Sequence, residues 1–288
     1  VMTRKSLFHF SLVGLLWGIP YLLMKVAVED FPPAAVVAGR TLIGASILIP
    51  IAIYRKKFGG AVLGFKYVAF YALMEMIGPW ILITTAEQKI NSGLAGLLVS
   101  TVPIFATIIT SLRGDHSVWQ FKRILGIVVG FIGLILVVGI ESLSGNSDPL
   151  SIAMVIVASM GYAYAVIMVT SNLPLVDGIA INGVAMGITC IFYTPIAIAV
   201  WPSNPVSAQA ITALVALGVF STAIAFMLFF IVIVEIGAAR GSLTTYVNTA
   251  FAVVLGIIIL DEPITLGIIV GLPMVVLGSY LASRKEKV

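Results

Sequence analysis

Apolar residues in this chain come in long runs broken by short polar connections. There is neither the alternation of a half-buried strand nor the narrow stripe of a soluble amphipathic helix. Ten runs can be counted, at about 7–27, 34–53, 63–86, 92–112, 122–140, 150–170, 179–200, 209–234, 242–260 and 265–283. Each approaches the roughly 20 residues that a helix needs to cross bilayer hydrocarbon. The pattern predicts an all-α integral membrane protein with ten transmembrane helices. Its connections are too short to hold a soluble domain.

A second pattern lies over the first. Residues 91–139 are echoed by residues 236–284 at a constant shift of 145 positions in a chain of 288. Gly96 falls on Gly241, Leu98 on Leu243, Val102 on Val247, Gly126 on Gly271 and Gly133 on Gly278. The chain therefore reads as one unit written twice, 1–145 and 146–288, each with five helices. Five is odd, so the second copy enters from the opposite side and the repeats are inverted. Inverted repeats place a binding site near the bilayer midplane and can rock about it. Transport or permeation follows from that architecture; the plainer alternative is that duplication only builds a larger bundle.

Composition agrees with the runs. Hydrophobic residues make up 60% and charged residues 10%, with a mean hydropathy of +1.16; soluble proteins average roughly 45–50% and 25%. The charges that remain are sorted. With the N-terminus inside, 13 of the 16 Lys and Arg fall in inner segments, leaving Lys25, Arg40 and Lys89 outside. Glu29, Asp30, Glu87, Glu141, Asp148, Asp261 and Glu262 lean outward. Basic residues accumulate on the cytoplasmic side, so both termini are expected in the cytoplasm. The same asymmetry explains the pI near 9.2 without nucleic acid. Arg4 and Lys5 before the first run resemble a signal peptide. No small-x-small cleavage site follows, so the run is kept as a span, with Met2 the expected native start.

Several chemistries lack their residues. Cys190 is alone, which leaves no disulfide partner, and His9 and His116 both sit near the inner surface rather than in a metal cluster. Neither a Walker A loop nor a GxSxG elbow is present. No catalytic residue, cofactor or metal is expected; the anticipated partners are a small-molecule substrate and membrane lipids.

Prolines 20, 50, 79, 103, 195 and 273 lie inside runs, where each removes a backbone donor and bends its helix. Small residues four apart (Gly14/Gly18, Ser92/Gly96, Gly126/Gly130, Gly183/Gly187, Gly267/Gly271) read as close helix packing within one chain. That reading is compatible with a monomer.

Polar groups at mid-depth are costly and so become candidates for function. Trp17, Glu75, Thr101, Tyr162, Ser221, Thr222 and Asn248 sit near the centres of spans one, three, four, six, eight and nine. Trp17 and Tyr21, Tyr71 and Glu75, and Thr244 and Asn248 are four apart and share faces. Spans two, five, seven and ten look plainer. The expectation is a cavity walled by the six polar spans. Glu75, the acid at membrane centre, has three readings: a contact for a cationic amino group, a proton relay, or a hydrogen bond to a neighbouring helix. Lys25 and Arg40 are expected to snorkel to the interface, the alternative being a solute carboxylate met at the outer mouth. Trp80 and Trp119 could line the cavity or join the interfacial belt, and Trp201 is assigned to the belt.

The stretch Gly237-Ala-Ala-Arg-Gly-Ser-Leu-Thr-Thr-Tyr-Val-Asn-Thr-Ala-Phe-Ala-Val-Val-Leu-Gly-Ile-Ile-Ile-Leu-Asp-Glu-Pro263, with Gly271 and Gly278 after it, resembles the C-terminal part of an EamA-type repeat. That family belongs to the drug/metabolite transporter superfamily. In the first half Trp17-Gly18, Lys25, Pro32-Pro33 and Arg40 match its opening. Asp261-Glu262 stands where the family usually has Gly-Glu, Asn248-Thr249 replaces a common Glu-Pro or Ser-Pro, and Asp115 lacks an adjacent Glu. The resemblance implies a ten-helix bacterial inner-membrane exporter working by alternating access, most similar to the aromatic amino acid exporter branch. On that reading Trp17, Tyr21, Tyr162 and Tyr246 would hold the apolar part of an amino acid. Glu75, Thr101, Ser221 and Asn248 would make polar contacts, with Tyr71 and Trp80 beside them. A multidrug or other metabolite exporter, a passive channel and a membrane enzyme are the rivals.

Overall fold

The computed structural model describes residues 3–114, 120–143, 148–236 and 244–283. Trp119, His116, Arg240, Gly241, Leu243 and the basic residues Arg284, Lys285 and Lys287 lie outside the described residues. Helix follows helix: α1 (Arg4–Ala27), α2 (Pro33–Tyr54), α3 (Phe58–Leu63), α4 (Phe65–Ala72), a π-helical segment (Leu73–Ile77), α5 (Gly78–Ala86), α6 (Ser92–Val99) and α7 (Val102–Leu112). After these come α8 (Phe121–Leu143), α9 (Pro149–Asn172), α10 (Gly178–Ala199), α11 (Ala208–Ala216), a second π-helical segment (Leu217–Ile224), α12 (Ala225–Ile236), α13 (Thr244–Leu260) and α14 (Leu266–Ser283). Seven stretches are long and apolar enough to cross a membrane. Shorter apolar helical segments lie at Ile124–Leu136, Thr244–Leu260 and Leu266–Gly278.

Helices are forced here because a backbone surrounded by apolar groups must pair its own N–H and C=O groups. Starts are marked by side-chain caps: Thr3 accepts from the Ser6 N–H, Asp148 from Ser151, Asp177 from Ile179 and Ala180, and Ser207 from Ala210. Pro20, Pro50, Pro195 and Pro273 remain within continuous helices. Pro79 and Pro103 do not. Each stands in the first turn of the α-helix that follows an irregularity, the π segment for Pro79 and the Ser100–Thr101 break for Pro103. At the Ser100–Thr101 break the carbonyls of Leu97 and Leu98 accept the two hydroxyls at 2.6 Å each.

Equivalent helices of the two halves pack on one another, α2 on α10 and α8 on α14, while α1 packs on α13 and α9 on α5 and α7. The α8–α14 contact is backbone to backbone. A Cβ at Gly278 would strike the Gly130 main chain and come within 2.6 Å of the Gly126 carbonyl oxygen. Gly18 lies similarly against the Asn248 carbonyl of α13, so the small-residue pairs serve packing.

Side-chain contacts gather the connections into two ends. At one end, which carries the acidic loops, Asp30 accepts from the Ser207 N–H at 2.9 Å, Lys89 meets Asp148 at 3.7 Å, and Phe31 packs edge-on against Trp201. At the other, basic end, Arg55 reaches Asp177 at 3.9 Å and His9 reaches Glu235 at 3.1 Å.

Candidate functional site

Between the halves lies a cavity of about 1710 Å³. Both halves supply its walls: α1, α2, the α4–π–α5 segment, α6 and α7 from the first, and α9, α10, the π–α12 segment and α13 from the second. Among the described residues α8 and α14 contribute nothing to it. Its mouth is at the basic end, marked by Arg55, Thr110, Pro174, Asp177 and Glu235, and its depth reaches Tyr21, Met24, Arg40 and Ile83.

The opposite, acidic end is sealed by polar contacts. The Lys25 ammonium donates to the Glu87 and Ile90 carbonyls at 2.7 and 2.8 Å, tying α1 to the C-terminus of α5, where a cation is favoured by the helix dipole. The Glu262 carboxylate accepts the Ser92 N–H at 2.7 Å, the Ser92 hydroxyl at 3.0 Å and the Gly93 N–H at 3.2 Å. A second-half acid thus caps a first-half helix. The adjoining Asp30 and Asp148 carboxyls are held below the usual carboxylate range by hydrogen bonds from Ser207 and Ser151 respectively.

Of the residues singled out from sequence, Trp17, Tyr21, Tyr71, Glu75, Trp80, Tyr162, Ser221 and Asn248 line the cavity together. Two do not. Thr101 is buried, and its hydroxyl is spent on the Leu98 carbonyl at the helix break. Tyr246 packs edge-on against Tyr280, at a separate shallow groove with Val247, Ala250, Phe251 and Val254. The helical period explains it: Thr244 and Asn248 share one face of α13, and Tyr246, two residues from each, points the other way.

Two expectations need correction. Arg40 does not snorkel; it is 5% exposed, its guanidinium lies 3.7 Å over the Trp80 ring, and it faces the cavity. Glu75 therefore shares its cavity with a basic residue. Nor are spans two and seven plain, since α2 brings Arg40 and α10 brings Asn182, whose side-chain oxygen accepts the Tyr71 hydroxyl at 3.1 Å. Asn182, one turn into α10, lies outside the reach of the mid-span rule, which looks only near span centres. Phe226 and Phe229, which surround Trp17 at 5.5 and 4.6 Å, could not be found either; α12 is apolar from Ala225 to Val234 and shows no face there.

The polar groups sit on unusual backbone. Glu75 lies in the first π segment, and Ser221 and Thr222 in the second. The 145-residue shift carries 73–77 onto 218–222, inside the second segment, so the two irregularities are equivalents. Such segments are rare and frequent at functional sites. The Glu75 Oε2 and Ser221 Oγ atoms are buried with no hydrogen-bond partner among the described residues. No group of three His, Cys, Asp or Glu among the described residues could hold a metal.

The sequence profile of the EamA-like transporter family matches residues 4–139 and again 149–284. An uncharacterized transporter of Bacillus subtilis (strain 168), YoaV, is 28% identical over 273 residues, 93% of each chain. The uncharacterized inner membrane transporter YedA of Escherichia coli (strain K12) is 26% identical over 285 residues, 95% of this chain and 91% of that one. A solved crystal structure superposes with a TM-score of 0.65 at 15% identity, covering 97% of this chain and 98% of the other. At that identity the likeness speaks for the fold alone.

Proposed function

We propose, for a chain that belongs to the EamA-like transporter family, export of aromatic and other neutral amino acids across a bacterial inner membrane. The protein is a multi-pass membrane transporter. In this reading ten helices form two inverted halves, both termini lie in the cytoplasm, and the cavity faces the cytoplasm. Alternating access would carry the solute outward as the sealed end opens and the mouth closes.

One observation carries the reading: a cavity built from both halves, aromatic along its walls, polar at its depth and sealed at one end. The aromatic walls of Trp17, Tyr21, Trp80 and Tyr162 suit the side chain of an amino acid. Sealing favours a carrier over a passive channel, which would need a continuous path. The name of the relative YedA, an inner membrane transporter, supports the inner-membrane location, and the basic-residue asymmetry supports the orientation. The unpartnered Glu75 supports a second reading, efflux of cationic drugs on the same scaffold.

Flux in proteoliposomes with labelled Phe, Thr and Met and with a cationic drug, each with and without a membrane potential, separates the two. Saturable movement of the amino acids is expected. Saturable movement of the drug alone overturns the amino acid assignment.

A further inference from the structure

The charges lining the cavity are paired at its mouth and unpaired at its depth. Arg55 has Asp177 and Glu235 has His9. Arg40, deeper, has no carboxylate partner among the described residues. Its Nε and Nη2 both donate to the Thr222 hydroxyl oxygen, at 3.4 and 3.2 Å, and that hydroxyl in turn donates to the Leu217 carbonyl of the second π segment. Nη1 meets only the Met24 thioether at 3.7 Å, a weak acceptor. Trp80 covers one face of the guanidinium. The group is therefore oriented but not neutralised.

A buried cation without an anion is strongly disfavoured, and ring stacking and one hydroxyl offset only part of that cost. The arrangement makes chemical sense when an anion arrives from outside the fold. Arginine presents planar, paired N–H donors that match a carboxylate two-to-two. With Trp80 on its face and Thr222 on its Nε–Nη2 edge, the Nη1 side is the one left for a ligand. Tyr162, on the opposite half, lines the same cavity as Arg40 and Glu75. A solute held at Arg40 thus lies among the aromatic walls.

We propose that Arg40, stacked on Trp80 and braced by Thr222, is the anchor for a solute carboxylate, so that the transporter selects organic acids and amino acids over the corresponding amides and amines. The proposal rests on the solute-carrier reading above but is separable from its amino acid assignment.

Three probes differing only in their charged groups test it on the purified full-length protein: L-phenylalanine, L-phenylalaninamide, which lacks the carboxylate, and 3-phenylpropanoate, which lacks the ammonium. Binding by calorimetry should rank both acids at least about tenfold tighter than the amide. Arg40→Gln should erase that preference, Arg40→Lys should restore part of it, and Thr222→Val should weaken the acids and spare the amide. The wild-type series decides even if Arg40→Gln fails to fold. Amide binding as tight as phenylalanine binding removes the anchor while leaving an amino acid carrier intact. Binding of phenylpropanoate without phenylalanine keeps the anchor and removes the amino acid assignment. If neither acid binds, both fall.

Discussion

Replacing Glu262 by Gln should unseal the closed end of the cavity. The Glu262 carboxylate accepts three hydrogen bonds at the N-terminus of α6, from the Ser92 and Gly93 N–H groups and the Ser92 hydroxyl, at 2.7 to 3.2 Å. An amide keeps one acceptor oxygen and turns its NH2 toward a backbone donor. Losing a helix cap costs about 0.5–2 kcal/mol, and losing an anion at a helix N-terminus about 0.3–1 kcal/mol more. Glu262 is partly buried; about 1.2 kcal/mol for the cap and the low end, about 0.3 kcal/mol, for the charge give roughly 1.5 kcal/mol, about a tenfold change in an equilibrium. These bonds join the two halves, and in alternating access they must break when that end opens. The weakened bond should therefore raise the population open at this end about tenfold. A buried reporter reads that population. Ala86 is fully buried, and an Ala86→Cys thiol in a Cys190→Ala background should react with an impermeant maleimide at a rate proportional to opening. The expected result is about tenfold faster labelling with Glu262→Gln. A lower melting temperature with unchanged labelling would show that Glu262 only stabilises α6, and would refute its part in the seal.

Gly278→Ala should cost about 1–3 kcal/mol, because the added methyl meets the main chain of Gly130 and Gly126 on α8 and neither can move alone; thermal unfolding in detergent measures it, and an unchanged melting temperature contradicts the close packing. Asp148 titrates below the usual carboxylate range because Ser151 donates to it from N–H and hydroxyl. The sign follows: its cap is fully present above the unfolded carboxylate value of about 3.9 and is lost as pH falls through the lower folded value. Asp148→Asn should accordingly flatten the acid limb of the stability profile; an acid limb identical to that of the parent chain would exclude the cap as its source. On the proton-relay reading of Glu75, Glu75→Gln should change the pH dependence of flux across roughly pH 5 to 8 or abolish flux. Flux with the parent profile rules out a proton relay.

Much of the site was legible because polarity is rare where everything else is apolar. Trp17, Tyr21, Tyr71, Glu75, Tyr162, Ser221 and Asn248 stand out by type and spacing alone, and they meet in one cavity. Thr101 and Tyr246 carry the same signal and serve other ends, one spent on a broken backbone and one facing Tyr280. The Tyr246 error was avoidable, since its two-residue offset from Asn248 already puts it on the far side of the helix.

Length and hydropathy by themselves determined that the chain is a helical membrane protein. The echo at 145 residues determined that it has two related halves, and the family profile matches once in each. What they left undetermined was rotation of each helix about its axis. In water the apolar stripe fixes that angle, but in a membrane lipid and protein interior are equally apolar and the stripe disappears. Arg40 is the instance: about 10 Å into α2 by helical rise, it could have reached outward to the interface or inward to Trp80 and Thr222. Only the packing of α2 on α10 and on the second π segment turned it inward. Which end is sealed was likewise a tertiary decision. Glu262 and the N-terminus of α6, 170 residues apart, meet only once the halves are docked.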